Sequence, residues 1–205
     1  MERAKKFLLA MLAAALCLSL AACGGDKPDA ADTQADAGAD VPAQPAGSGA
    51  DAPAPAELES YQDESGSFSI SIPSVEGGWV QGDSGNEAGI LLDNSDQSFT
   101  VMVQGLPKGQ GEFDSLDSVV SFYREQALAG FGEPTAEEIA VPESMTAQAE
   151  SYTAEQYGTK AKALVAFLEG ENGYYVYTIT GLAEQYDANI GPQRDAVQNF
   201  VENAG

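Results

Sequence analysis

Apolar and polar residues alternate strictly at positions 67–72, which predicts a strand with one buried face. Pro73 is expected to end this strand, because proline lacks the N–H that strand pairing requires. Apolar runs at 89–92 and 99–104 predict two further strands. Residues 93–96, Asp-Asn-Ser-Asp, are typical of a turn, so the two runs are predicted to form a hairpin.

Helical spacing marks residues 114–129. The apolar positions that share one helical face are Leu116, Val119, Val120, Tyr123 and Ala127. Asp114 is predicted to cap the first turn and Gly130 to end the helix.

The second half of the chain predicts three strands and a final helix. Residues 145–153 are polar and Thr-rich, which indicates a strand with one wet face, whereas 160–168 and 174–180 are apolar on both faces. Residues 170–173 supply a hairpin loop between the last two strands. Gly191-Pro192 is expected to start or break the final helix. The apolar face of that helix comprises Ile190, Val197, Phe200 and Val201.

Strands that are apolar on both faces require a sheet covered on both sides. The predicted fold class is therefore α+β, an antiparallel sheet of about six strands flanked by helices on both faces. One domain is expected over residues 61–205. A chain of this length buries roughly two-thirds of its unfolded surface, enough for a core without disulfides.

The N-terminal residues have the features of an export signal. A basic start at residues 3–6 precedes an apolar run at 7–18, which is too short to span ~30 Å of hydrocarbon. The sequence Leu20-Ala21-Ala22-Cys23 follows and resembles the lipobox of bacterial lipoproteins. The resemblance implies a signal peptide over 1–22, a diacylglyceryl group on Cys23 and an anchor on the extracytoplasmic face of the cell membrane. The alternative is an ordinary signal peptide with a chance cysteine.

The cysteine count limits the chemistry of the domain. Cys17 and Cys23 are the only cysteines, and Cys17 lies within the predicted leader. The domain therefore has no disulfide, no cysteine metal ligand and no thiol nucleophile. Two acyl chains on Cys23 would anchor the protein firmly, whereas one binds membranes weakly.

Residues 23–60 are predicted to be a disordered acidic tether. Their composition is mainly Ala, Asp, Pro and Gly, and the only apolar residues larger than Ala are Val41 and Leu58. Such a segment cannot bury enough surface to offset its ordering entropy. It would hold the domain off the membrane, at a root-mean-square reach of ~35 Å.

Charge restricts the partners. The chain has a formal charge of −23, and residues 61–205 carry 23 acidic side chains against five basic ones. Nucleic acid is excluded as a partner because phosphate binding needs clustered Lys and Arg. Adsorption to anionic lipid is disfavoured, while cations and basic peptides are favoured.

The opening of the domain suggests a family. The sequence Gly66-Ser67-Phe68-Ser69-Ile70-Ser71-Ile72-Pro73, followed by Gly78-Trp79-Val80, resembles the first motif of the PsbP-like superfamily, which includes DcrB-like bacterial lipoproteins. The resemblance implies an α/β/α sandwich. It also implies binding or scaffolding without catalytic residues, as in most members.

One tetrapeptide resembles the motifs of two protease classes, but the residues that either mechanism also needs are absent from the sequence. Gly82-Asp83-Ser84-Gly85 is similar to the nucleophile segment of chymotrypsin-type proteases, yet the chain contains no His to activate a serine. Its Asp-Ser-Gly triplet occurs once, whereas aspartic proteases need two. We therefore predict a turn here, no catalytic site and no cofactor.

Candidate ligand sites rest on acidic turns and aromatic side chains. Asp93, Asn94 and Asp96 are weak calcium candidates, but their spacing matches no calcium loop and turn chemistry explains them. The same holds for the set Asp83, Asn86 and Glu87. Zinc is disfavoured without His or domain Cys. Four aromatic residues could line a ligand groove or belong to the core. Aromatic residues at alternating strand positions more often belong to the core, which we therefore favour. The four are Trp79, Tyr174, Tyr175 and Tyr177.

These observations favour a non-catalytic, membrane-anchored module that binds an envelope protein or a small ligand. One alternative is a cell-envelope hydrolase that uses paired carboxylates ~5–10 Å apart in a cleft. The other is a stress or spacer lipoprotein whose bulk and charge are its whole role. The sequence leaves the oligomeric state and the ligand open.

Overall fold

The computed structural model describes residues 57–109 and 113–203. Ten strands and two helices follow one another along these residues. The strands are β1 (Leu58–Gln62), β2 (Phe68–Pro73), β3 (Trp79–Gly82), β4 (Gly89–Asn94), β5 (Phe99–Pro107), β6 (Thr135–Glu137), β7 (Thr146–Gln156), β8 (Thr159–Glu169), β9 (Gly173–Leu182) and β10 (Val201–Glu202). The helices are α1 (Leu116–Gln126) and α2 (Ala183–Asp195), and a 3-10 turn spans Ala196–Asn199.

The strands form two antiparallel sheets. The large sheet has seven strands in the order β3-β4-β5-β9-β8-β7-β6, and the small sheet has the order β1-β2-β10. The α+β class is therefore confirmed, but the strands divide into a sheet of seven and a sheet of three, where the sequence predicted one sheet of about six. The serine-rich strand β2, predicted from alternation, belongs to the small sheet. That sheet begins at Leu58, within the last residues assigned to the tether.

The large sheet is covered on both faces, as its central strands predicted. One face of β8 and β9 packs with α1 in a cluster that includes Val165, Phe167 and Val176. The opposite face packs against β2 and the C-terminal segment, through residues such as Leu168 and Tyr177. The core thus consists of two apolar layers separated by the sheet.

Helix α1 lies where helical spacing predicted it, with different ends. Ser115, not Asp114, caps the helix, because its side chain accepts a hydrogen bond from the Ser118 N–H at 3.2 Å. The Ser115 N–H donates to the Ser118 hydroxyl at 3.3 Å, which completes a reciprocal capping box. The helix ends at Gln126, before Gly130, so the two predicted boundaries were wrong.

The C-terminal segment differs from the prediction. Helix α2 already begins at Ala183 and contains Pro192 in its interior, so Gly191-Pro192 neither starts nor breaks it. Val197 lies in the 3-10 turn, and Val201 lies in β10, where it is exposed and pairs with Ser69 of β2. The apolar face assigned to one helix therefore belongs to three elements.

Glu202 joins the C-terminus to the β8–β9 hairpin. Its carboxylate accepts hydrogen bonds from the N–H groups of Glu171 and Asn172, both at 2.8 Å, and from the Tyr175 hydroxyl at 2.7 Å. Burial, reinforced by this carboxylate, raises the pKa of Tyr175. The contact fixes the small sheet relative to the large one.

Asp63 organises the turn between β1 and β2. The residue is 4% exposed and accepts hydrogen bonds from the Phe68 N–H at 2.8 Å and from the Ser67 hydroxyl at 3.0 Å. A third hydrogen bond comes from the Ser65 hydroxyl. Burial alone would raise the pKa of Asp63, but these hydrogen bonds to the charged form lower the pKa overall.

We expect Asp63→Asn to lower the free energy of unfolding at pH 7 by about 1–2 kcal/mol, because it removes charge-assisted hydrogen bonds. Because the pKa of Asp63 is lower in the folded state than in the unfolded state, its ionised carboxylate stabilises the fold at pH values above the unfolded pKa. This stabilisation is lost as the pH falls through the folded pKa. The difference between the two proteins should therefore shrink below pH ~4. Urea unfolding of the parent and of Asp63→Asn at pH 7 and at pH 3 measures this difference in the free energy of unfolding. Glu64→Gln, an exposed change in the same turn, is the control, and an equal difference at both pH values would contradict the assignment.

Candidate functional site

The predicted calcium candidates hold the turn between β4 and β5. The Asn94 side-chain carbonyl accepts from the Ser98 N–H at 2.9 Å, and an Asp96 carboxylate oxygen accepts from the same N–H at 3.0 Å. An Asp93 oxygen accepts from the Thr100 hydroxyl at 2.6 Å. Each of the three side chains thus has a structural role in the hairpin.

The second acidic set lies in the connection between β3 and β4. Asp83 accepts from the Gly85 N–H at 2.7 Å, and the Ser84 hydroxyl donates to the Asn86 carbonyl at 2.8 Å. Asp83, Ser84 and Gly85 therefore form part of the connection after β3, close to the predicted turn, whereas Gly82 is the last residue of that strand. In the part of the chain that the structure describes, no three or more His, Cys, Asp or Glu side chains form a group that could hold a metal ion.

The four aromatic candidates, Trp79, Tyr174, Tyr175 and Tyr177, belong to the core or pack against it, as alternation predicted. Tyr174, Tyr175 and Tyr177 are buried on β9. Trp79 packs beside the core, and its indole N–H donates to the Pro73 carbonyl at 2.9 Å.

An ionic contact with a buried carboxylate joins α1 to β7, and no sequence pattern indicated it. Glu150 is 6% exposed, and its carboxylate accepts two hydrogen bonds from the Arg124 guanidinium. One comes from Nε at 3.0 Å and the other from Nη2. The Tyr152 hydroxyl also donates to this carboxylate. Burial raises the pKa of Tyr152, although Arg124 opposes the shift. The prediction of a wet face on this strand was wrong at Glu150 and Tyr152, because α1 covers them.

Every basic side chain of residues 61–205 is paired with a carboxylate. The pairs are Lys108–Glu169 at 2.9 Å, Arg124–Glu150, Lys160–Glu155 at 3.9 Å, Lys162–Asp187 at 2.7 Å and Arg194–Glu137 at 3.3 Å. The remaining acidic side chains leave the surface with an uncompensated negative charge. This charge favours a cationic partner.

Tyr157 lies at the tip of the β7–β8 hairpin, in a connection that sequence reasoning left unassigned. It is 94% exposed, and its φ of +52° is followed by +81° at Gly158. Positive φ at both central residues of a two-residue hairpin loop is typical of a type I′ turn, which favours Asn-Gly. The Tyr-Gly pair between two predicted strands is the sequence feature that could have indicated this hairpin turn.

The hairpin tip extends beyond its neighbours. Pairing of β8 with β9 ends at Ala161, and pairing of β7 with β6 ends at Ser151. A shallow groove of about 620 Å³ lies beside the tip, where the β4–β5 turn and the start of α2 meet it. Its lining residues are Asp96, Ser98, Gly158, Thr159, Lys160, Leu182, Ala183, Glu184 and Gln185. We call Tyr157 together with this groove the hairpin-end surface.

One carboxylate of this groove, Asp96, does not suit the general-acid role that a glycoside hydrolase requires. Hydrogen bonds from the Ser98 side chain and N–H lower the pKa of Asp96. A general acid for glycoside hydrolysis needs a raised pKa so that it holds a proton at neutral pH. Asp96 is therefore unsuited to that role.

A second cleft, of about 230 Å³, lies where Lys108 and Asn203 approach Tyr175. The Lys108 amine is already engaged by Glu169 and by the Gly170 carbonyl at 2.8 Å. The cleft is smaller than the roughly 300 Å³ at the lower end of small-molecule sites. The hairpin-end surface is thus the larger candidate.

Cys23 and its leader lie outside the described residues. Within the described residues, no helix combines the length and the apolar character needed to cross a bilayer.

No protein-family model matches the chain, and a search of curated proteins found no match. Solved structures do match. A protein of Bacteroides thetaiotaomicron aligns with a TM-score of 0.50 at 11% identity over 71% of this chain, which spans about half (48%) of that protein.

Two further matches have lower TM-scores. LpqN of Mycobacterium tuberculosis, described as involved in cell envelope biogenesis, aligns at 0.45 with 11% identity, over 72% of this chain and 92% of LpqN. Cyanobacterial PsbP of Synechocystis sp. PCC 6803 aligns at 0.35 with 11% identity, over 74% of this chain and 95% of PsbP. At such identities a likeness concerns the fold alone, an α+β arrangement of antiparallel sheet and helices.

Proposed function

We propose that this chain is a lipid-anchored lipoprotein on the extracytoplasmic face of the membrane, whose domain binds or assembles a partner without catalysis. The single observation that carries the proposal is the order of the first residues. A basic start, an apolar run of about a dozen residues and Leu20-Ala21-Ala22-Cys23 follow one another as lipoprotein processing requires.

A binding role is supported by the polar side chains of the domain, because those singled out by the sequence hold the fold together and do not form a catalytic arrangement. Turn residues such as Asn94 and Asp96 hold loops, and the carboxylates of Glu150 and Glu202 join separate elements of the fold. Those groups are engaged in maintaining the fold. The exposed features beside them are a projecting tyrosine and a negatively charged surface, which suit recognition of a protein partner.

The anchor is tested with the full chain in its native cells. We expect mass spectrometry to find diacylglycerol on Cys23 as the first residue, and protease added to intact cells, or to spheroplasts if an outer barrier is present, to reach the domain. Cys23→Ser should move nearly all of the protein out of the detergent-extractable membrane fraction or leave its leader uncleaved, because the two acyl chains provide the firm anchor. Cys17→Ser, a matched change within the leader, should leave lipidation intact.

An unmodified thiol at position 23 would refute the proposal. So would a Cys23→Ser chain that is cleaved and fractionates with membranes as the parent does.

A further inference from the structure

Tyr157 contributes an exposed aromatic ring that the fold does not require. The ring is 94% exposed at a backbone φ of +52°. Asn or Gly occupies such a position more readily than Tyr, since a side chain branching into a ring is crowded there. A large ring held in water in a disfavoured conformation points to a contact outside the domain. Tyr is also enriched among the residues that contribute most to protein interfaces.

The groove that begins at Gly158, the residue after Tyr157, has the composition of an interface. Leu182, which is 38% exposed, adds apolar surface at the groove, and Asp96 and Glu184 place carboxylates along it. An apolar centre with a polar rim is the usual arrangement of a protein-binding patch. The pairing of Lys160 with Glu155 leaves the negative charge of the groove uncompensated.

Charge selects the partner. Residues 61–205 have a net charge of −18, and each of their basic side chains is already paired with a carboxylate. A second copy of the chain, a nucleic acid and an anionic bilayer would each be repelled. A protein with exposed Lys or Arg would be attracted, and its encounter with the domain would be accelerated at low salt.

We propose that the hairpin-end surface docks a basic protein of the cell envelope, with Tyr157 inserted into an apolar pocket that Lys or Arg residues surround. The inference rests on the proposed function, since it places the domain among envelope proteins. It adds the surface and the chemistry of the partner.

The first test uses the full chain in its native cells, with a benzophenone amino acid as a photocrosslinking probe in place of Tyr157. The control carries the same probe in place of Val80, which is 56% exposed on β3, a strand separated from β8 by three others in the large sheet. The expected result is an adduct, specific to the Tyr157 probe, with one identified envelope protein. Peptide mapping should place that adduct within a segment of net positive charge.

The second test measures the affinity of the identified protein for the mature chain. Tyr157→Asn should weaken binding by roughly tenfold or more, because it removes the aromatic anchor while keeping a residue that suits positive φ. Thermal unfolding should show that this variant is at least as stable as the parent. Val80→Thr should leave the affinity unchanged. Raising the salt concentration should weaken binding of the parent.

Several results would overturn the inference. They are adducts with lipid, adducts with the same chain, no adduct at all, or unchanged affinity of the Tyr157→Asn chain. If Cys23 carries lipid and the Val80 probe captures the partner, the docking surface is wrong while the proposed function stands. If Cys23 is unmodified, the proposed function fails first, and the two failures are therefore distinguishable.

Discussion

Gly181→Ala should lower the free energy of unfolding by about 2–3 kcal/mol, the upper part of the usual cost of overpacking a tight core. Gly181 lies on β9, opposite Phe99 of β5. A Cβ at this position would lie 2.8 Å from the Phe99 ring and 2.9 Å from the Ser98 carbonyl oxygen. Both distances are shorter than van der Waals contact, so one of the neighbours would have to move.

Neither neighbour of Gly181 is free to move. The Ser98 carbonyl accepts the Leu182 N–H at 2.9 Å, which fixes the backbone at the end of β5. Phe99 is fully buried, and its ring lies 6.1 Å from the centre of Trp79 and 6.5 Å from that of Tyr186. Displacing the ring would disturb packing on both sides, so the strain is retained in the folded state.

Chemical denaturation of the mature chain measures the effect of Gly181→Ala. Gly130→Ala is the control, because a Cβ at Gly130 meets no atom within 4 Å and the backbone there has no positive φ. We expect the control to change stability by less than about 0.5 kcal/mol. Equal stability of the two variants would contradict the packing argument.

The sequence predicted the strands whose faces are defined by local pattern. Alternation identified β2, and the double apolar faces of β8 and β9 required the two layers that cover the sheet. Helix α1 was found from its spacing, and only its ends were wrong. Each of these elements buries one or both faces along its whole length, and such burial produces a regular pattern of apolar residues that can be read from the local sequence.

The sequence failed where distant segments decide the structure. Apolar residues at 197, 200 and 201 fit a helix locally, yet Val201 pairs with Ser69 of β2 and becomes a strand. Pairing across such a separation overrides local preference, and no pattern near the C-terminus records it. Likewise, nothing in the sequence around Glu150 shows that Arg124 of a separate helix will cover it.

The hairpin-end surface was missed for a similar reason. Its parts come from the β4–β5 turn, the β7–β8 tip and the start of α2, which are far apart in the chain. Only Tyr157-Gly158, between two strands, left a local sign of an unusual turn. By contrast, the acidic turns that the sequence pattern indicated, such as Asp93-Asn94-Ser95-Asp96, have hydrogen-bond partners a few residues along the chain, at Ser98 and Thr100, and therefore support the fold.

Glu150→Gln should destabilise the domain by about 2–3 kcal/mol. The buried carboxylate is the shared acceptor for Arg124 and Tyr152, and removing its charge leaves the partly exposed guanidinium without a counter-ion. Breaking a buried ion pair costs about 3–5 kcal/mol, and the partial exposure of Arg124 reduces that value because water can solvate the remaining charge.

The matched control is Glu155→Gln on the same strand. Glu155 pairs with Lys160 at 3.9 Å, and both side chains are exposed, so this change should cost less than about 0.5 kcal/mol. Urea unfolding at low and high salt separates the two cases, since salt screens the exposed pair far more than the buried one. If both variants lost equal stability, the Arg124 contact would be a surface ion pair, and the packing of α1 on β7 would depend on apolar contacts alone. If only Glu150→Gln is destabilised, the carboxylate is the polar link that holds the helix over the strand.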